Sequence, residues 1–227
     1  ERDRGSVHQF QADGLVGSLM YRGWSAWFLG HPDRAEVLAR QAVEHARALN
    51  HPHTLGLALC FATLTYVLRG DLALARTEGE EVLHLCIEQE MPQWAAMAQF
   101  AVGAAVALQG DDARGIRGID DGLAAWSHLG SHLLKTWILG FKAEALLRAG
   151  HHAEAATTVV DALRRIDDSG ERFYEAELHR LSGETLVNFD EVAAEHLVGL
   201  REALRVGVLR PVVDDGDGEA AEVADGG

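Results

Sequence analysis

The sequence predicts an all-α chain folded as an α-solenoid of about five helical hairpins, on three observations. Gly30, Gly70, Gly110 and Gly150 stand forty residues apart, inside "WFLGHPDRA", "YVLRGDLALA", "VALQGDDARG" and "LLRAGHHAEA", and Asp190 takes the next beat in "LVNFDEVAAE". A second set of breaks recurs at the same period, near Pro52, Pro92, Ser131 and Gly170. Between the breaks, apolar residues return every three or four positions, as Val37, Ala39 or Arg40, Val43 and Ala46 do in "AEVLARQAVEHARAL". Gly and Pro end helices and open turns, so the chain reads as helix, tight turn, helix, loop, repeated.

Each repeat then has an A and a B helix. After a lead-in at 1–13, repeat one covers 14–50, with A at 14–29, B at 32–49 and its end in "LNHPHT". Repeat two (54–90) has helices at 54–69 and 72–89 about Gly70 and closes at "EQEMPQ". Repeat three (93–130) has helices at 93–109 and 112–129 about Gly110. Its B helix holds Gly115, Gly118 and Gly122, which together cost about 3 kcal/mol of helix propensity and mark it as the helix that opens first. Repeat four (133–169) has helices at 133–149 and 152–168 about Gly150, and repeat five (172–206) has helices at 172–188 and 191–206 about Asp190. The array thus spans 14–206. The remainder, 207–227, has one basic residue and no apolar period, and is expected to be an acidic disordered tail.

Helix-pair solenoids with periods near forty are of tetratricopeptide or HEAT type. Small residues separate them. Gly23, Thr63, Gly103, Ala143 and Gly183 stand seven positions before each beat, and Ala35, Ala75, Gly115 and Ala155 stand five after it. These are the places where helix A crosses helix B in a tetratricopeptide hairpin, and that reading is adopted, with a right-handed superhelix and A helices lining its concave face.

Two runs, "GLAAWSHLGSHLLKTWILGFKAEALLRAGHHAEA" and "ALRRIDDSGERFYEAELHRLSGETLV", resemble the C-terminal tetratricopeptide region of large bacterial signalling and transcriptional regulators. Those proteins join a class III cyclase or a helix-turn-helix domain to a STAND-class ATPase. The resemblance spans about residues 7 to 190, and "GERFYEAELHRL" is its most specific part; Ser182 stands where a Lys is expected. It implies a sensor or interaction arm that regulates domains elsewhere in a parent protein, and it carries over no catalytic residue.

Composition narrows the rest. A net charge of −15 disfavours a nucleic-acid surface, because phosphate contacts need clustered Lys and Arg. No apolar run approaches the roughly 18 residues of a membrane span, and the N-terminus has no apolar signal core; a cytoplasmic location is expected. The chain begins without Met and is taken as a piece of something larger. No phosphate-binding loop, GxSxG elbow, HExxH or CxxC is present, so neither an enzyme nor a cofactor or metal site is expected. Six histidines, His31, His51, His53, His132, His151 and His152, fall at expected turns and are read as exposed. Cys60 and Cys86 are read as buried and offset by six residues along their hairpin, about 9 Å at 1.5 Å per residue, beyond disulfide reach. The charged run around Glu171, Arg172, Glu175 and His179 is read as the surface of an A helix, paired at three- and four-residue spacing.

The binding surface is then the groove lined by A helices. Counting from the beat places Met20, Trp24 and Trp27, then Leu64, then Met97 and Phe100, then Trp137 and Glu144, then Glu177, Arg180 and Glu184 along it. The trend runs from apolar to charged and suits a protein or peptide partner, other domains of the parent chain included; a homo-oligomer is compatible. Arg180 is read as an anchor for an anion. Two alternatives stand beside it: a small-ligand pocket walled by the same aromatics, and an inter-repeat core that takes up Trp24, Trp27, Phe100 and Trp137.

Overall fold

The computed structural model of the chain describes residues 12–187, which fall within one compact unit and in which every regular element is an α-helix. In order these are α1 (Gly14–Phe28), α2 (Pro32–Leu49), α3 (Pro52–Arg69), α4 (Leu72–Glu88), α5 (Pro92–Leu108), α6 (Asp112–His128), α7 (Lys135–Arg148), α8 (His152–Ser169) and α9 (Glu175–Val187). The turn at Asp190, the second helix of repeat five and the acidic tail lie outside the described residues.

The beat has an atomic cause. Gly30, Gly70, Gly110 and Gly150 take φ of 81°, 81°, 100° and 76°, a left-handed conformation that costs glycine nothing. The residue after each donates its N–H back over the helix end: His31 to Ala26, Asp71 to Tyr66, Asp111 to Val106 and His151 to Leu146, at 2.8–3.2 Å. Pro32, Pro52 and Pro92 each open a helix, where a missing N–H costs nothing. This is why α3 and α5 begin a residue or two before the positions read from sequence.

Helices α7 and α9 begin later than read, at Lys135 and Glu175. Neither has Pro at its start, and the chain turns once more first, with Leu134 at φ 64°. Glu171, from the turn before α9, closes the start of α7: its carboxylate accepts the Leu134 N–H and the Thr136 hydroxyl, both at 2.6 Å. A residue read as surface charge is therefore a cap for the preceding repeat. Replacing it, Glu171→Ala, is expected to cost about 1–2 kcal/mol, seen as a lower midpoint in urea unfolding with an unchanged slope.

Within each hairpin the helices meet at the small residues. Ala35, Ala75, Ala143 and Ala155 are fully buried. The tightest crossing is α5 on α6: a Cβ on Gly103 would lie 2.5 Å from the Ile119 nitrogen, and one on Gly122 would lie 2.6 Å from the Phe100 nitrogen. The glycines of α6 thus exchange helix propensity for backbone contact that no other residue allows. Propensity alone marked this helix as the first to open; the packing supplies the term that argument lacked.

Helices α3 and α4 correct the reading of the cysteines. Gly56 lies against Cys86, and Thr63 against Gly79, so the hairpin register leaves Cys60 and Cys86 one helical turn apart rather than six residues. Side chains lean toward the N-terminus of their own helix, and in antiparallel helices these two leans converge. Both thiols are buried and free and lie side by side, and Cys60 donates to the Trp94 carbonyl at 3.4 Å. Burial pushes the Cys60 thiol well up, and the contact with Cys60 lowers Cys86.

Each A helix packs on the next, α1 on α3, α3 on α5, α5 on α7 and α7 on α9, whereas among the described residues the B helices touch only A helices. A helices crowded on one side and B helices spread on the other curve the stack, with the A helices inside.

Candidate functional site

The curvature brings repeat one back onto repeats four and five. Helices α1 and α7 make no backbone contact, but large rings span the gap between them. Trp24 stacks on Phe61 of α3 with centroids 4.2 Å apart, and meets Trp137 of α7 edge-on at 4.8 Å. Phe28, at the end of α1, meets Phe173 edge-on at 5.7 Å, and Trp137 also touches Phe141, Phe173 and Tyr174. Edge and offset contacts of this kind add about 0.5–1.5 kcal/mol each beyond area burial. The middle of the concave face is filled with aromatic side chains.

This alters the groove read from sequence. Met20, Leu64, Met97, Phe100 and Trp137 are all buried, so they present nothing to a partner. Two causes operate. Phe100 turns to its own hairpin, against Trp126 and the backbone beside Gly122, because the missing Cβ opens space there. Trp137 faces the concave side as expected, but α1 covers it. Trp24 and Trp27 are half-buried, as are Glu144 and Glu177, while Arg180 and Glu184 are exposed.

What stays open is one end of the concave face. A cavity of about 730 Å³ lies where the C-terminal ends of α1, α3, α5 and α7 approach the start of α9. Trp27, Phe28, Phe141, Phe173 and Tyr174 line it with rings, and Arg69, Glu144, Arg148, Glu177 and Arg180 with charged groups. Four groove residues read from sequence, Trp27, Glu144, Glu177 and Arg180, are brought together here. Sequence reasoning missed the other rings because Phe173 and Tyr174 were assigned to the first turn of a helix. The extra turn before α9 aims them at the cavity, and Tyr174 lies over Gly140, where a Cβ would come within 2.5 Å of its ring.

The charged groups are partly spoken for. Arg180 donates from Nε to both oxygens of Glu177 at 2.9 Å, and from its terminal nitrogens to Glu177 and Glu184. Those bonds hold its guanidinium protonated more firmly than usual. Arg180 is therefore no free anchor for an anion, which corrects the reading from sequence. Arg69 is held by Asp71 at 2.9 Å and Asp33 at 3.0 Å, and Arg148 donates to the Leu108 carbonyl at 3.2 Å.

Glu144 differs from these. Its carboxyl is raised from the ordinary value, first because burial penalises the charge and next because Glu177 repels it, while Arg180 and Arg148 pull the other way. The sign for stability follows. A folded-state value raised above 4.5 means the folded protein holds the proton more tightly than the unfolded chain, so stability is lost as pH rises from about 4.5 through the folded value. Glu144→Gln is expected to raise the melting temperature at pH 7.5 by a degree or two, of the order that about 0.5 kcal/mol gives, and to leave it unchanged at pH 4. Thermal melts at the two pH values check this.

Elsewhere the histidine turns are engaged locally. His51 Nδ1 accepts the Thr54 N–H at 3.3 Å and caps α3, and the Trp94 indole donates to His53 at 3.0 Å. Among the described residues no group of three or more His, Cys, Asp or Glu could hold a metal ion, and no helix is long and apolar enough to cross a membrane.

With the fold established, comparison with solved structures finds the same architecture. Two crystal structures of "nearly identical TPR-like repeats" from Podosopora anserina, named for a kinesin light chain, superpose with TM-scores of 0.55 and 0.57. Identity is 15% and 16%, over 84% and 86% of this chain and 95% and 97% of those. The chain has the tetratricopeptide-like fold. Searched against models of known protein families and against curated proteins, the sequence matches none.

Proposed function

We propose that this chain is a non-catalytic interaction arm of a larger bacterial signalling ATPase, and that it holds a short segment of another domain of that protein in the cavity at the end of its concave face. The carrying observation is the cavity: about 730 Å³, lined by aromatic rings together with carboxylates and guanidiniums. Tetratricopeptide-like solenoids are generally interaction scaffolds, which supports binding over turnover, and the run "GERFYEAELHRL" supports the signalling context. Because the centre of the face is filled, the bound segment enters the cavity from its rim and does not run the length of the groove.

Titration calorimetry of the full chain against the parent's ATPase region tests this. Micromolar binding is expected, lost in Trp27→Ala and Phe173→Ala and kept in Ile87→Ala, whose side chain is exposed near the end of α4 remote from Leu72 and does not line the cavity. Binding that survives both ring substitutions, or no binding, overturns the proposal. The cavity volume also falls within the roughly 300–1,000 Å³ usual for small-molecule sites, so a small ligand in the same cavity is the second reading.

A further inference from the structure

We infer that the occupant of this cavity is a cation, the arginine or lysine side chain of a partner segment, held by Glu144 against the rings of Trp27, Phe28 and Phe173. The inference rests on the proposed role of the cavity and names the chemistry it recognises.

Three observations converge on it. First, two of the three guanidiniums that line the cavity are already neutralised, Arg69 by Asp33 and Asp71 and Arg180 by Glu177 and Glu184, whereas Glu144 is paired with none. An anion at Arg69 or Arg180 would have to displace those ion pairs, whereas a cation beside Glu144 displaces none. The chain as a whole, at −15, favours the approach of cations in the same sense.

Second, Glu144 makes no ion pair or hydrogen bond with the described residues, although it is half-buried on the cavity wall. Burial and two neighbouring carboxylates make its charge unfavourable in the empty protein. The groups facing it are Glu177, Glu184, Arg180 and Tyr174 from the α9 side and Arg148 on its own helix. A guanidinium or ammonium placed beside it would offset the cost of burying that charge.

Third, the cavity is also lined by aromatic rings, and two of them are partly open. Phe28 and Phe173 are 45% and 40% exposed although they touch each other, so their remaining faces look outward. Ring faces carry negative charge density and attract a cation within about 6 Å of the centroid. They also stack on the flat guanidinium and cover the aliphatic stem of Lys or Arg. An acidic side chain would be repelled by Glu144 and Glu177, and a purely apolar one would leave Glu144 desolvated without a partner.

The test uses three capped tripeptides, acetyl-Ala-Arg-Ala-amide, acetyl-Ala-Gln-Ala-amide and acetyl-Ala-Glu-Ala-amide, titrated into the ¹⁵N-labelled full chain at physiological salt. The Arg peptide is expected to move the Trp27 indole signal and the amides of 141–148 and 173–180, and to bind at least about fivefold more tightly than the Gln peptide, a difference one close charge pair can give. The Glu peptide is expected to produce no shift there. Glu144→Gln, which keeps the shape, is expected to reduce the Arg peptide's affinity by about fivefold. Equal binding of all three peptides, an unchanged affinity in Glu144→Gln, or Arg-peptide shifts spread evenly over acidic surface residues would overturn the inference. Its failure is separable from that of the proposed function: ATPase-region binding lost in Trp27→Ala but indifferent to Glu144→Gln keeps the cavity as the docking site and removes only the cation.

Discussion

Trp137→Ala is expected to be the most damaging single substitution in the described part of the chain, costing about 3–5 kcal/mol. Trp137 is fully buried and touches Trp24, Phe141, Phe173 and Tyr174, so its ring joins helix A of repeat four to repeats one and five. In an ordinary core the surroundings relax partly into such a cavity. Here they cannot do so by a small shift, because α1 and α7 share no backbone contact and only side chains bridge them. The loss has two parts, the area and dispersion of the ring itself and the contact between non-adjacent repeats. Equilibrium urea unfolding reads the sum. A loosening of the ends of the array would appear separately, as faster amide exchange in α1 and α9 than in α5. Trp137→Phe is expected to cost far less, since the indole N–H makes no hydrogen bond of regular geometry and a phenyl ring keeps the edge contact. A cost below about 1 kcal/mol for the alanine variant would mean that the rings do not hold the array closed.

The second large effect is expected in repeat three. Gly103→Ala places a Cβ 2.5 Å from the Ile119 nitrogen and 2.7 Å from the Gly118 carbonyl carbon, both backbone atoms that cannot rotate away. Gains in helix propensity of about 1 kcal/mol are outweighed, because α5 and α6 must separate along their length to admit one methyl. A net loss of about 2–3 kcal/mol is expected, at the upper end of ordinary overpacking. Gly17→Ala is the matched control: it lies in α1 with nothing within 4 Å of its added Cβ, and should stabilise slightly. Thermal melts of the two variants separate packing from propensity. Stabilisation by both would show that the close approach of α5 and α6 is not maintained in solution.

The forty-residue beat was legible because each turn between an A and a B helix needs a residue at positive φ, and glycine at that position leaves a mark in the sequence. The crossing points were legible for the same kind of reason: backbones that close leave room only for small side chains. Other features rest on relations longer than one repeat. Glu171 caps a helix whose first residues lie more than thirty positions earlier, and nothing in its own neighbourhood distinguishes it from the exposed acids beside it. The meeting of Trp24 with Trp137 depends on a small rotation per repeat summed over three repeats, which no local pattern encodes. For that reason the groove residues were placed on the right helices, while five of them proved to be interior. The contact between Cys60 and Cys86 was missed at a finer scale, by counting residues from the turn without the hairpin's register or the lean of the side chains. The cavity could have been approached from the triplet of Arg172, Phe173 and Tyr174, where two large rings follow a break at Gly170 and precede a charged helix.

The array curls until repeat one closes on repeats four and five, which fills the middle of the concave face and leaves a cavity at one end of it. The most direct measurement is the nuclear Overhauser effect between the indole protons of Trp24 and Trp137 in the free, labelled chain. With centroids 4.8 Å apart in an edge-on contact, strong cross-peaks are predicted, together with peaks from Phe28 to Phe173 at 5.7 Å. Resolved Trp24 signals that show peaks to Phe61 and none to Trp137 would contradict it, and would restore an open groove running the length of the A helices.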